Sequence, residues 1–460
     1  MYTYEQSLQM ARRIAEEAAS LGGRAYFVGG HVRDHLLQIE HKDIDIETHG
    51  VTPSQLEAIL DNLGERMAIG ETFGIYNLRG YSLDIAMPRK EELRGRGHRD
   101  FDIFVDPFIG TKGAAKRRDF TINALMMDVL TGEIVDHYGG REDLAQGVIR
   151  HVSDDSFAED PLRVLRGAQF AARFGFEIAP ETMELCSRMD LSTLPKERIL
   201  KELEKALLKA EKPSIFFEEL RRMNQLDVWF PELKVLIGVE QNPRFHAEGD
   251  VWTHTMMVLD AAATLRNTTA EPNGEAVANP LGFMLAALTH DSGKAITTEV
   301  KDGVIHAYDH EKAGLPLIES FLVRLTNETK LIDYVLNLAE FHMKPNVVAG
   351  AKSSVKTTNK MFDQSVDPEA LIRIGIADAL GKLPPEDTDT NEAFLRERLA
   401  IYRDYMARPF VAGRDLIEAG LTPGPNFSDI LAYAHKLRLV GIEKENALKQ
   451  TLAYARKLRQ

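Results

Sequence analysis

The chain has 460 residues, 44% of them hydrophobic, and a net charge of -14. That length suits two to four domains, and the acidic balance argues against a protein that coats nucleic acid non-specifically, which needs clustered cations. A lone cysteine, Cys186, excludes an intrachain disulfide and a cysteine-based metal site; with an acid-bearing amphipathic N-terminus and no run of membrane-spanning length, a soluble cytoplasmic enzyme with no membrane partner is expected.

Residues 24–150 alternate short apolar strands with helices and predict an α/β head. Arg24–Val28 reads as a strand. Gly29 and Gly30 then allow a sharp turn into a helix over His31–Leu37, whose N-terminus presents free N–H groups to an anion such as a triphosphate. A Rossmann fingerprint would need G-x-G-x-x-G, which is absent. After Lys42 comes a second apolar strand with Asp43 and Asp45. Two apart, their side chains leave one face, where like charges repel unless a cation neutralises them. The pair reads as a Mg²⁺ site for phosphoryl or nucleotidyl transfer. Asp84, on a strand over Tyr81–Met87, is either a third carboxylate or a strand-edge aspartate without a role. A Gly/Arg-rich loop is expected over Arg89–Arg99. The run from Arg117-Arg118-Asp119 to Asn123 sets two guanidiniums beside an Asp and an Asn, either a triphosphate clamp or a solvated helix end. A hairpin is expected over Met126–Asp136.

From Ser153 the strand signals vanish and helical periodicity runs through 158–174, 180–189, 195–210 and 213–223. Glu159-Asp160-Pro161-Leu162-Arg163 opens the first of these, which puts Glu159, Asp160 and Arg163 on one helix face. An aspartate acceptor beside an arginine donor complements an exocyclic amine beside a ring nitrogen, the edge shared by cytosine and adenine. Uracil and guanine present the reverse and leave both protein groups unpaired. The plain alternative is a structural ion pair. Farther on, the histidine-rich helical stretch to about 385 holds His254, His290-Asp291 and Asp378, which a helical bundle can converge on one metal, with His310 and His342 as either further ligands or plain core or surface histidines. A looser connection at 383–390 precedes a tail bearing Lys436, Arg438, Lys449, Arg456, Lys457 and Arg459. Its basic face contacts RNA, packs in a dimer, or is simply solvated.

Four motifs in order, VGGHVRD, DID, RRDFTINA and EDPLRVLRGAQFAARFGF, resemble those of the class II tRNA nucleotidyltransferases, the CCA-adding and poly(A) polymerase family of the DNA polymerase beta superfamily. The resemblance implies an α+β fold, with a nucleotidyltransferase head over 1–150, a helical neck and body over 151–240 and a helical tail over 386–460. It implies that Asp43 and Asp45 are catalytic and hold Mg²⁺. Gly29, Gly30 and Arg33 would help bind triphosphate, with Arg117, Arg118, Asp119, Asn123 and Arg166 as further nucleotide contacts and Asp160 and Arg163 as the template for the incoming base. Arg89–Phe108 resembles the family's flexible loop, which helps switch from C to A addition. One departure is visible: where the family's helix usually ends Leu-Leu-Gly, this chain has Leu36-Leu37-Gln38. The stretch 241–385 resembles an HD-superfamily phosphohydrolase domain, which implies a Mn²⁺, Ni²⁺ or Mg²⁺ site. The expected function is template-independent addition of CMP and AMP to the tRNA 3′ end from CTP and ATP, by a monomer or homodimer without a DNA partner. Alternatives are a poly(A) polymerase, a CC-only or A-only enzyme, a protein acting mainly as an HD phosphodiesterase or phosphatase on RNA ends, or an RNA-binding protein with dead sites.

Overall fold

The protein is seen here in a computed structural model that describes residues 2–40, 43–70, 75–93, 101–267 and 276–458. It is a mixed α+β chain that divides into two compact units. The first comprises Met1–Leu203 with Ile215–Gln225, and the second Glu204–Ser214 with Leu226–Gln460. Among the described residues no helix is long and apolar enough to cross a membrane.

The first unit is built on a mixed sheet. In chain order its strands are β1 (Arg24–Val28), β2 (Ile44–His49), β3 (Arg66–Gly70), β4 (Ile75–Leu78), β5 (Leu83–Ala86), β6 (Arg89–Leu93), β7 (Phe101–Val105), β8 (Met126–Asp128) and β9 (Ile134–Val135). Seven of them form one sheet in the order β3-β4-β5-β2-β1-β8-β9. The helix Tyr4–Ser20, opened by a capping box between Thr3 and Gln6, buries Met10, Ile14 and Ala18 in the core of this unit. β2 alternates at its start: Ile44 and Ile46 are buried while Asp45 is half-buried on the opposite face. β2 and β5 pair in parallel with Asp45 opposite Asp84, so residues thirty-nine apart in sequence become direct neighbours.

Several expectations shift. The helix after the glycine turn spans Gly30–Leu36. Asp43 precedes β2 and does not lie within it. The flanks of the predicted loop at Arg89–Arg99 are a strand pair, β6 with β7, in register from Arg89 opposite Val105 to Leu93 opposite Phe101; the loop's residues 94–100 lie outside the described residues, as does Lys42. Strands also continue past Ser153, since Glu177–Ile178 pairs in parallel with Val148–Ile149. The helix predicted over 158–174 is broken: one helix spans Asp154–Ala158 and the next begins at Leu162. Pro161 explains the break, because it lacks an N–H and disfavours helical backbone at Asp160 before it. Glu159 and Asp160 therefore precede the long helix instead of sharing a face of it with Arg163.

The second unit is helical, as expected. Pro280–Thr289 is apolar all round and buried along its length, which makes it a central element. Its start is set by Pro280 at the first helical position and by the Asn279 side chain, which accepts from the Gly282 amide. Pro368–Leu380 begins the same way, with Asp367 as cap and a further Asp367 bond from Tyr334 Oη at 2.7 Å. One element escaped the sequence reading, a hairpin of Glu299–Lys301 with Val304–His306. Its two turn residues, Asp302 and Gly303, have φ of 53° and 75°, the pattern of a type I′ turn. The helices Gly413–Glu418, Phe427–Leu439 and Lys444–Lys457 share a small core around Leu416, Ile430 and Ala447. Arg438 of the basic tail is spent locally, stacked over Phe410 and donating to the Tyr405 carbonyl. Arg459 lies outside the described residues.

Candidate functional site

Two clusters of chemistry-bearing residues form, one in each unit. In the head, Gly29 sits at φ 61°, ψ -129°, a conformation that glycine alone adopts without strain. A Cβ on Gly29 would meet the Arg118 guanidinium at 3.5 Å, so the glycine turn and Arg118 are neighbours. A cleft of about 390 Å³ is lined by Asp45 and Asp84 together with Glu47, Arg89, Arg117 and Arg118. Asp43 stands beside it, its carboxylate accepting from Ser82 Oγ at 3.3 Å. Burial, then Asp84 and Asp43, push the Asp45 carboxyl up to about 6. A carboxylate held away from water among like charges is a group that a divalent cation stabilises, so this acid set fits a Mg²⁺ site.

Glu47 also lines this cleft, a position that the sequence reading missed although the run Asp43-x-Asp45-x-Glu47 carries its signal. It lies on the same β2 face, 7% exposed. Its carboxylate is 2.9 Å from His49 Nε2 and accepts from Arg118 Nη2 at 3.3 Å. Burial alone would raise its pKa, yet these two partners hold it below the usual carboxylate range.

Four of the expected nucleotide contacts join in a hydrogen-bonded chain. Arg33, 4% exposed, donates to Asp34 at 2.8 Å and to Asn123 Oδ1 at 2.6 Å, with its guanidinium over the Phe170 and Phe174 rings. Asn123 donates to Asp119 at 3.0 Å, and Asp119 accepts from Arg166 Nε at 2.7 Å. Arg117 donates to the Arg89 carbonyl. The fork residues are near each other without pairing. Arg163 donates to the Ser156 carbonyl at 2.5 Å and to the Arg117 carbonyl at 2.8 Å, which ties it to the Arg117–Arg118 segment. Asp160 accepts from the Leu162 amide at 3.1 Å and from Arg198 Nη2 at 2.7 Å. The ion pair of Asp160 is therefore with Arg198, a residue that no local spacing could have nominated.

In the second unit the six predicted ligands converge. His254 Nε2 lies 3.1 Å from Asp378 Oδ1 and 3.6 Å from Asp291 Oδ2. His290, His310 and His342 each place Nδ1 2.6 to 2.8 Å from the carbonyl three residues earlier, at Ala287, Ala307 and Ala339. The bonding pattern assigns the proton to Nδ1 and leaves a lone pair on each Nε2. Those three Nε2 atoms are buried without a hydrogen-bond partner. They face Asp291 at 3.3, 3.2 and 3.8 Å respectively. Lone pairs aimed at a carboxylate repel unless a cation lies between, so this set fits one or two divalent metals. Burial pushes His342 down to about 3, which keeps it neutral as a ligand must be. Despite its burial, His254 is raised to about 9 by Asp378 and Glu248. Glu248, 2.9 Å from His254 Nδ1, and Lys294, 2.7 Å from Asp291, were both missed; short segments such as His246-Ala247-Glu248 carry little signal alone.

Residues 25–150 match the poly A polymerase head domain, and 175–237 match a family described as the probable RNA and SrmB-binding site of polymerase A. A multifunctional CCA protein of Pasteurella multocida is 36% identical over 410 residues, 86% of this chain and 92% of that protein. The one from Actinobacillus pleuropneumoniae serotype 5b is 39% identical over 345 residues, 74% and 79% of the two chains. Among solved structures, the Thermotoga maritima CCA-adding enzyme complexed with tRNA is 20% identical with a TM-score of 0.64, covering 99% of each chain. The Bacillus stearothermophilus CCA-adding enzyme in complex with CTP is 21% identical with a TM-score of 0.59, covering 98% of each. These two likenesses establish the fold. With sequence identity sustained across nearly the whole length of curated relatives, the chain belongs to the family of multifunctional CCA proteins, with a poly(A) polymerase-type head.

Proposed function

We propose that the chain is a template-independent tRNA nucleotidyltransferase that adds CMP and AMP to the tRNA 3′ end from CTP and ATP. The observation that carries this is the Arg163 bond to the Arg117 carbonyl, which links a base-reading pair to a cleft of carboxylates and arginines. The names of the curated relatives, and the solved relatives with tRNA, ATP and CTP, support the same reading. Asp43, Asp45 and Asp84 would hold divalent metal, Mg²⁺ in our reading. Such a site supplies charge to activate the attacking hydroxyl and to steady the departing pyrophosphate. Arg117 and Arg118 receive the triphosphate beside the Gly29-Gly30 turn, with Glu47 fixing Arg118 from behind. Arg33, Asn123, Asp119 and Arg166 brace the clamp from below, since their polar groups are already matched to one another. Asp160 accepts the exocyclic amine of cytosine or adenine while Arg163 donates to the ring nitrogen; a guanidinium has five N–H donors, more than the acceptors Arg163 meets here.

We assign the segments as a nucleotidyltransferase head over 1–150, a neck and body over 151–240, an HD-type domain over 241–385 and a tail over 386–460. For the third, the lone-pair arrangement around Asp291 favours an accessory metal-dependent phosphohydrolase. His254, His290, Asp291 and Asp378 would hold Mn²⁺, Ni²⁺ or Mg²⁺, with His310 and His342 completing a second position.

Extension of a tRNA lacking CCA with CTP plus ATP, followed by sequencing of the 3′ ends, tests the main reading. A terminal CCA is expected. Poly(A), CC-only or A-only ends would replace it with the corresponding narrower activity. For the accessory centre, Asp291→Ala is expected to abolish phosphodiesterase and phosphatase turnover with each of the three metals, and unchanged turnover would end that assignment.

A further inference from the structure

A carboxylate stands behind the histidine–aspartate centre, outside its set of ligands. Glu248 lies in the turn before the helix Val251–Leu265, and its side chain has no exposure. Asp250 fixes that turn: it caps the helix by accepting from the Thr253 amide at 2.9 Å and also accepts from the Gly238 amide at 2.7 Å. Glu248 faces inward. Its Oε1 lies 2.7 Å from His246 Nδ1 and 2.9 Å from His254 Nδ1, while Oε2 accepts from the Leu383 amide at 3.1 Å, just past the helix Pro368–Leu380 that carries Asp378. The two imidazoles meet edge to face, with centroids 4.8 Å apart and planes at 80°. One buried carboxylate thus joins the segment before His254 to the segment after Asp378.

Two arrangements give such distances. The first is a cation held among His246, Glu248 and His254. It would take His254 Nδ1 while Nε2 of the same ring faces Asp378 at 3.1 Å, so one imidazole would bridge two cations after losing both its protons. The second is a pair of hydrogen bonds in which both Nδ1–H groups donate to Oε1. It needs no further cation, and it accounts for the Gly381 carbonyl 3.3 Å from His254 Nδ1, since an acceptor there faces a proton and not a lone pair.

We propose that Glu248 is a positioning residue of this centre: it holds the Nδ1 proton of His254, so that the Nε2 lone pair of that ring is the atom offered to the metal. His246 and the Leu383 amide keep the carboxylate in place. The inference rests on the reading of the cluster as a metal centre. A ligating histidine ordinarily has its other N–H bound in this way. For His290, His310 and His342 a backbone carbonyl is the acceptor, whereas His254 has a charged carboxylate, which strengthens its ring as a ligand.

The test follows Mn²⁺ binding by the full chain after removal of metal with a chelator. Free Mn²⁺ is read by electron paramagnetic resonance, and the titration of Asp291→Ala is subtracted so that only the histidine cluster is counted. Glu248→Gln, which keeps the volume and removes the charge, is expected to weaken that binding roughly tenfold to a hundredfold. His246→Ala disturbs the same turn but leaves the bond between Glu248 and His254, and is expected to weaken binding far less. Equal losses in the two variants would mark a packing effect and overturn the proposal, as would parent affinity in Glu248→Gln. A parent chain without Asp291-dependent Mn²⁺ binding would overturn the metal centre and its brace together. One measurement needs no substitution at Glu248: in the parent labelled with ¹⁵N-histidine and loaded with ¹¹³Cd²⁺, His254 is expected to show a protonated Nδ1 and cadmium coupling at Nε2. Coupling at Nδ1 would overturn the proposal.

Discussion

Gln38 holds φ at 58°, where a side chain crowds its own backbone, at the position where the family usually carries glycine. The turn survives the change because its amide still donates to the His35 carbonyl at 3.2 Å. Gln38→Gly is therefore expected to stabilise the protein by about 0.5–1 kcal/mol, relief of strain outweighing the added freedom of the unfolded chain, as read by urea denaturation. Asp45 strains the fold in another way. Its carboxyl, raised to about 6 in the folded state against 3.8 ordinarily, binds its proton more tightly folded than unfolded. Stability of the metal-free protein should thus fall as pH rises from about 4 through about 6 and stay reduced above. Asp45→Asn should recover on the order of 2 kcal/mol at pH 7.5 and almost nothing below pH 4, while nucleotide transfer is lost. Equal effects at both pH values would show that the carboxyl is not desolvated. At this scale alternation along β2 made Asp45 legible, and Glu47 by the same rule, whereas Asp43 lies just before the strand. Arg198 was not, because it meets Asp160 only through the fold.

Between residues and domains, close approach of backbones does much of the positioning. Gly293 follows the His290-Asp291 pair and lies so near the His310 carbonyl that an added Cβ would be 1.9 Å from it. That contact brings the end of one helix against the start of another and sets Asp291 beside His310. Gly293→Ala is expected to cost roughly 2–4 kcal/mol and to deplete bound metal, measured by denaturation and by elemental analysis of the purified variant. Retention of full metal content would mean that this turn does not set the ligands. The elements that sequence misplaced have particular physical causes. Helical spacing around Glu159 failed since Pro161 breaks the helix, and Asp302-Gly303, a strong hairpin signal, is flanked by strands of only three residues each. The central helix Pro280–Thr289, by contrast, announces itself by Asn279, Pro280 and an unbroken apolar run.

At the scale of the whole chain, two compact units each carry their own cluster of chemistry-bearing residues, built from disjoint sets of residues. Asp45→Asn and Asp291→Ala should therefore act independently: the first removes nucleotide transfer and leaves metal uptake at the histidine cluster intact, the second does the reverse. Loss of both functions in either variant would mean that the units depend on one another. The order of motifs along the chain made the architecture readable, because each motif is local. Convergence of six ligands spread over more than a hundred residues was readable only as a set, and its supports, Glu248 and Lys294, emerged from packing.

The central claim is that Asp160 and Arg163 choose the nucleotide. It is tested most directly by offering CTP, ATP, UTP and GTP one at a time to the full chain, with CTP tested on tRNA lacking CCA, ATP on tRNA ending in CC, and UTP and GTP on both. Incorporation of CTP and ATP with little UTP or GTP is predicted, and Asp160→Ala should erode that preference more than it slows transfer. Equal use of all four nucleotides by the parent protein, or undiminished selectivity in Asp160→Ala, would contradict the account.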